Sequence, residues 1–172
     1  SVVAKRVKRS EGPFFRFLYQ AHKIITYIFT GKKINFGNYS CLTKEDVKTL
    51  SDKASLWSSF SGTLKKYINP LNEINSIRGL RYFGPSKMSL FKLGIHSFAI
   101  IAVFKNTVLI RSSIILVLAS IIGNYKDLLI ILIFQILLVV FNLLIFIVSL
   151  RENQKDFLNS HLNEESATVI KH

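Results

Sequence analysis

Apolar and polar positions change period several times along this chain, and the longest unbroken apolar run lies between Leu128 and Leu150. It reads LLIILIFQILLVVFNLLIFIVSL and carries no charge. At about 1.5 Å rise per residue, a helix of this length matches a hydrocarbon core about 30 Å thick. A buried helix of a soluble domain rarely runs so far without a polar face, so the pattern predicts a transmembrane helix. Gln135, Asn142 and Ser149 recur every seven positions and share one face. In lipid such groups favour a neighbouring helix. A packing seam is therefore expected ahead of an ion path, because no ionisable residue accompanies the stripe. Thr107–Gly123 is predicted as a first, shorter span, with Arg111 near enough to its start to snorkel towards headgroups. The loop 123–127 closes the two into a hairpin.

Upstream the periods are shorter. Val2–Val7 is β-branched and reads as a strand, the last of a larger sheet. Phe14, Phe17, Leu18, Ala21, Ile24, Ile25 and Ile28 follow helical spacing, with Pro13 at the start and Gly31 as the stop. Arg16, Gln20, Lys23 and Thr26 fall mainly on the other side. This helix either packs on a soluble core or lies in a membrane interface, and its Phe content beside two cations tilts the expectation towards the interface. Residues 32–42 form a turn-rich segment with a short strand. Thr43 and Asp46 resemble a capping box opening a helix over Lys44–Leu50. A further helix is expected over Leu56–Tyr67, ended by Asn69-Pro70, and a strand over Ile74–Tyr82. Ser86–Phe104, capped by Ser86 or Ser89, becomes steadily more apolar and predicts a second interfacial helix, interrupted at Lys105-Asn106.

Charge divides the chain as sharply as hydropathy does. Net charge is +13, and residues 1–105 hold eighteen Lys/Arg against five Asp/Glu, whereas residues 106–172 hold five of each. A basic half followed by an apolar half suits cytoplasmic mass near anionic lipid better than nucleic-acid binding once a membrane helix is present. The basic bias also places both termini in the cytoplasm, giving a multi-pass protein of the inner or plasma membrane. Cys41 is the only cysteine, which excludes an intrachain disulfide and a Cys-based metal site. The chain starts at Ser1 and its only methionine is Met88, so a fragment or processed piece is expected. The four histidines lack metal-ligand spacing, and there is no Gly-rich phosphate loop or Ser/His/Asp set. The stretch richest in chemistry is RGLRYFGPSKM, Arg78–Met88. Its arginines and lysine can gather around a phosphate, or form a solvated basic loop above anionic lipid.

Arg78-Gly79-Leu80-Arg81-Tyr82, Gly84, Ser86-Lys87-Met88 and Ile95-His96 resemble the segment that closes the catalytic domain of family-2 glycosyltransferases acting on polyprenyl or dolichol phosphates. Lys5-Arg6-Val7-Lys8-Arg9 followed by Phe14–Thr30 resembles their acceptor loop and interface helix, and Phe36-Gly37-Asn38-Tyr39-Ser40 the turn that follows. The ordered set extends over roughly residues 1–123. The resemblance implies an α+β remnant of a nucleotide-sugar-binding α/β domain, then amphipathic interface helices and a two-helix transmembrane hairpin. It divides the chain into residues 1–86 (end of the catalytic domain), 87–105 (interfacial helix), 106–150 (hairpin) and 151–172 (polar tail). It implies a parent enzyme transferring sugar from a nucleotide-sugar donor to a polyprenyl-phosphate acceptor, with Mg²⁺ or Mn²⁺ held by an Asp-x-Asp upstream of this chain. By that likeness Arg6 and Arg16 face the lipid phosphate, and Arg81, Ser86 and Lys87 the donor phosphates. No catalytic residue and no metal ligand falls in this chain, and its partners are membrane lipids, not nucleic acid. Self-association through the membrane helices into a homo-oligomer fits the amide stripe. The rival reading is a non-enzymatic two-span basic adaptor or lipid-binding subunit.

Overall fold

The structure is a computed structural model. It describes residues 1–8, 13–77, 89–122, 128–153, 155 and 159. Among these the chain is mixed α and β, with a three-stranded sheet and seven helices. In chain order the elements are β1 (Val2–Lys8), α1 (Pro13–Thr30), β2 (Phe36–Cys41), α2 (Lys44–Leu50), α3 (Ser55–Ser58), α4 (Phe60–Tyr67), β3 (Asn72–Ile77), α5 (Leu90–Ala102), α6 (Lys105–Ile122) and α7 (Leu128–Ser149).

The sheet runs β2-β1-β3, antiparallel on one side of β1 and parallel on the other. Val3 on β1 and Phe36 on β2 pack with Leu50, Leu64 and Ile68, so helices α2 and α4 cover one face. β3 lies at the edge with five of its six residues exposed, including Ile74 and Ile77. Parallel pairs usually occur in sheets covered on both faces, and this one keeps exposed aliphatic side chains on its edge strand. The expected strand over Ile74–Tyr82 is thus present from Asn72 to Ile77, and its remainder lies outside the described residues.

Local capping explains most element ends. Thr43 Oγ1 accepts from the Asp46 N–H at 3.2 Å, as the capping-box spacing predicts. The reciprocal half differs: the Asp46 carboxylate takes the Ser1 hydroxyl, and the Thr43 N–H donates to Ser1 Oγ. The single helix expected over Leu56–Tyr67 is instead two. Ser59 is extended (φ −159°, ψ 118°) and its Oγ accepts from the Gly62 N–H at 3.2 Å, capping α4 and ending α3. Serine competes for backbone groups in this way, and apolar periodicity does not register it. Gly62 also sits where α4 meets α5: a Cβ there would come within 3.1 Å of Val103 Cγ2 and 3.2 Å of the Ile100 carbonyl oxygen.

The helical layer has its own core of Ile101, Ala102, Val103, Phe104, Val108 and Ile145, with Phe29 and Phe141 stacked beside it at 4.5 Å between ring centroids. Ile34 packs on both this core and the sheet core. Ser89 Oγ caps α5 through the Lys92 N–H. α5 and α6 meet at a bend of 88°. The break falls at Val103–Phe104, not at Lys105-Asn106: the Phe104 N–H turns back to the Ile101 carbonyl, and Lys105 already begins α6. α6 and α7 run antiparallel, since Lys105 pairs with Glu152 at one end and Gln135 Nε2 donates to Ser120 Oγ at the other.

Among the described residues one helix, α7, is long and apolar enough on its own to cross a membrane. α6 meets that measure only together with α5, across the bend. Its 18 residues span about 27 Å, and Lys105 and Arg111 occupy its first two turns.

Candidate functional site

The surface that sets this molecule apart begins on α1. Pro13 opens the helix, where its missing N–H leaves nothing unsatisfied. Gly31 closes it at φ +70°, with its N–H on the Tyr27 carbonyl at 2.8 Å. The predicted apolar stripe lies on the helix, but five of its seven residues face outward, with Leu18 and Ala21 half-buried. Phe17 is 69% exposed and Ile24 59%, and Phe14, Ile25 and Ile28 are exposed with them. What packs against the protein is the neighbouring face: Thr26 is 2% exposed and Thr30 3%, with Phe29 beside them on the helical core. Thr30 Oγ1 satisfies itself on the Thr26 carbonyl at 2.6 Å, and Thr26 Oγ1 lies 3.4 Å from His22 Nδ1. Among the described residues, then, most of the stripe has no core to pack on, which leaves the interface reading open.

The same outward bias continues along the helical layer. Leu90 and Phe91 open α5 exposed, while its last turn, Ala99–Ala102, is buried. On α7 the inward positions are Leu138, Ile145 and Ser149, with Gln135, Phe141 and Asn142 half-buried, and the remaining aliphatic positions are mostly exposed. The Gln135/Asn142/Ser149 stripe thus lies on the packed side. Only Gln135 bonds across to another helix; Asn142 Nδ2 donates back to the Leu138 carbonyl and Ser149 Oγ to the Phe146 carbonyl. An apolar surface this extensive marks an interaction site.

Two cations bond backbone carbonyls of other elements, Arg111 within the helical layer and Lys66 between α4 and the end of α5, and neither was assigned such a role from sequence. Arg111 Nη1 donates to the Ile28 carbonyl at 3.0 Å, meeting an unpaired acceptor in the last turn of α1. Its guanidinium lies against Gly31, where a Cβ would come within 2.6 Å of Nη2. Lys66 Nζ reaches the carbonyl of Val103, the C-cap of α5, at 2.7 Å. Cations are favoured at helix C-termini for this reason. The available signal was an arginine inside an apolar run, which needs a partner; the partner's place on α1 is visible only once α6 is seen beside it.

Of the residues expected to bind phosphates, Arg6 and Arg16 fall among the described residues. Arg6 lies on β1, in register with Ser76 of β3, and its side chain is outside the described set. Arg16 is exposed on the first half of α1. Arg81, Ser86 and Lys87, with the whole of Arg78–Met88, lie outside the described residues. Among the described residues no group of three His, Cys, Asp or Glu side chains is placed to hold a metal ion. Asp46 is held below its ordinary pKa of 3.8, chiefly by the Ser1 hydroxyl and then by Thr43. No protein-family model, no curated protein and no solved structure matches this chain.

Proposed function

We propose that this chain is the acceptor-side, membrane-anchoring part of a polyprenyl-phosphate glycosyltransferase. The observation that carries the reading is a juxtaposition: a sheet with a parallel pair and an exposed edge strand, packed on α2 and α4, is joined through α3 and α4 to helices with outward-facing apolar side chains. Such a sheet suits extension by further strands of a nucleotide-sugar-binding domain. The outward stripe of α1 suits burial at headgroup depth. The right-angle bend suits α5 lying along the surface while α6 and α7 enter the bilayer as a hairpin. In this reading the chain sits in the inner or plasma membrane with both termini cytoplasmic. Arg6 and Arg16 meet the lipid phosphate, and Arg81, Ser86 and Lys87 the donor diphosphate. The carboxylates for Mg²⁺ or Mn²⁺ belong to an upstream part of a longer parent. What cations contribute in such a transfer is stabilisation of charge developing on the leaving diphosphate.

The test is turnover of nucleotide sugar with polyprenyl phosphate in detergent. The 172-residue chain is expected to be inactive alone and the longer parent active. In the parent, Arg81→Ala is expected to lower turnover strongly and Arg81→Lys to restore only part of it, because an ammonium lacks the planar fork. Wild-type turnover in the Ala variant removes Arg81 from the site, and activity of the isolated chain ends the fragment reading. The adaptor alternative predicts instead that Arg81→Lys is silent and that Arg81→Ala weakens only salt-sensitive membrane attachment.

A further inference from the structure

α5 and α6 turn through 88° at Val103–Phe104, yet the sequence between Gly94 and Gly123 holds no Pro and no Gly. Sharp kinks arise at Pro, at Gly/Ser pairs, at a widened helical turn, or where a side chain enters the backbone ladder. Here a side chain enters it. In a continuous helix the Val103 carbonyl would accept the Thr107 N–H. It accepts Lys66 Nζ instead, at 2.7 Å. One turn earlier the Ala99 carbonyl accepts the Ser58 hydroxyl at 3.2 Å. A helix end leaves its last carbonyls without intrahelical partners, and the head supplies these two donors from α3 and α4. Gly62 lets α4 come close enough for both, since a Cβ there would meet Val103 Cγ2 and the Ile100 carbonyl. Phe29 of α1 and Ile145 of α7 also pack at the bend. In lipid such apolar contacts exchange with acyl chains at little cost, whereas an unpaired carbonyl finds no substitute there.

We propose that α5 and α6 form a hinge whose bent state is latched by the head through Lys66 and Ser58. With the latch closed, α5 lies across the end of α6. With it open, the backbone ladder closes over Val103 and the two become one helix from Leu90 to Ile122. Such a helix is about 50 Å long, well beyond the thickness of the hydrocarbon core, so opening draws α5 out of the interface plane. Weighing the two donors above the apolar packing rests on the membrane reading above.

The test is the distance between spin labels on Phe91→Cys and Ile114→Cys, both exposed positions, in a Cys41→Ser background. It is read by double electron–electron resonance on the full chain in phosphatidylcholine nanodiscs. The bend puts these backbone positions about 25 Å apart, and a straight helix about 35 Å. With the latch intact, the shorter distance is expected. Lys66→Met with Ser58→Ala removes both donors while keeping an apolar stem at position 66, and is expected to add a population at the longer distance. Lys66→Arg keeps a donor and is expected to show the shorter distance alone. Neither position belongs to the buried core of the head, and Trp57 emission reports that the head stays folded. Where the double variant unfolds it, Ser58→Ala alone decides, with a smaller long-distance population expected. A long distance with the latch intact, a single short distance in the donor-less variants, or an equal long population in Lys66→Arg overturns the latch. The membrane reading fails by another sign, absence of the chain from the discs. The glycosyltransferase reading fails by lost turnover, which this experiment does not use.

Discussion

The head and the helical layer use the same kinds of side chain in opposite ways. In the head, Val3, Leu64 and Ile68 are buried between sheet and helices, and Lys5 and Lys65 share Glu73 at the surface. In the helical layer a small core at the bend is surrounded by exposed Phe, Leu and Ile, and the polar side chains Thr26, Thr30 and Ser149 are buried. The first arrangement is stable in water by hydrophobic burial. The second is stable where the surroundings are themselves apolar. The difference teaches that exposure, not composition, separates a helix packed in a core from one whose apolar face is left outward.

The sharpest test of that contrast is a pair of truncations. Leu64→Ala should destabilise the head by about 2–5 kcal/mol, because Leu64 is fully buried. Phe146→Ala, on the exposed side of α7, should stay within about 0.5 kcal/mol in detergent. Guanidinium unfolding followed by Trp57 fluorescence measures both. Next in size is Ile24→Ser on α1. It should remove about 1.5–3 kcal/mol of bilayer affinity in liposome flotation, the transfer value of such a side chain, with little change in melting temperature. The reverse result, lost stability with unchanged flotation, would break the comparison. Gln135→Leu should weaken association of α6 with α7 by about 0.6–2 kcal/mol, and Asn142→Leu by less, since its amide bonds within its own helix. Steric trapping in bilayers reads this order. The smallest effect belongs to Asp46. Its depressed pKa means that the stability it contributes is complete above the ordinary value of 3.8 and is lost as pH falls through the lowered one. Acid titration by circular dichroism should lose that segment of its slope in Asp46→Asn.

Much of this architecture can be read from local signals. Thr43, Ser89, Pro13 and Gly31 mark helix ends because capping depends on a few neighbouring residues. α7 is evident from length and hydropathy alone. The bend resists such reading: Lys105 looks like an interruption, yet it starts a helix, because its charge is met by Glu152, nearly fifty residues away in sequence. The split at Ser59 turns on one hydroxyl choosing a backbone N–H. Nor does an amphipathic pattern say which face meets the protein, and on α1 the packed face proves to be Thr26, Phe29 and Thr30. The residues assigned to phosphates were chosen by likeness, and apart from Arg6 and Arg16 they lie outside the described structure.

Lys66 and Arg111 have a consequence for how the helices are held. Arg111 and Lys66 each grip a backbone carbonyl, not a carboxylate, at 3.0 and 2.7 Å. A carbonyl at a helix end is a short-range dipole, so mobile ions compete with it less than with a surface ion pair. The exposed Lys53–Asp52 pair will therefore fade as salt rises, while Lys66 keeps the head on the end of α5 and Arg111 keeps α1 on α6: each joint behaves as an uncharged bracket built from a charged residue.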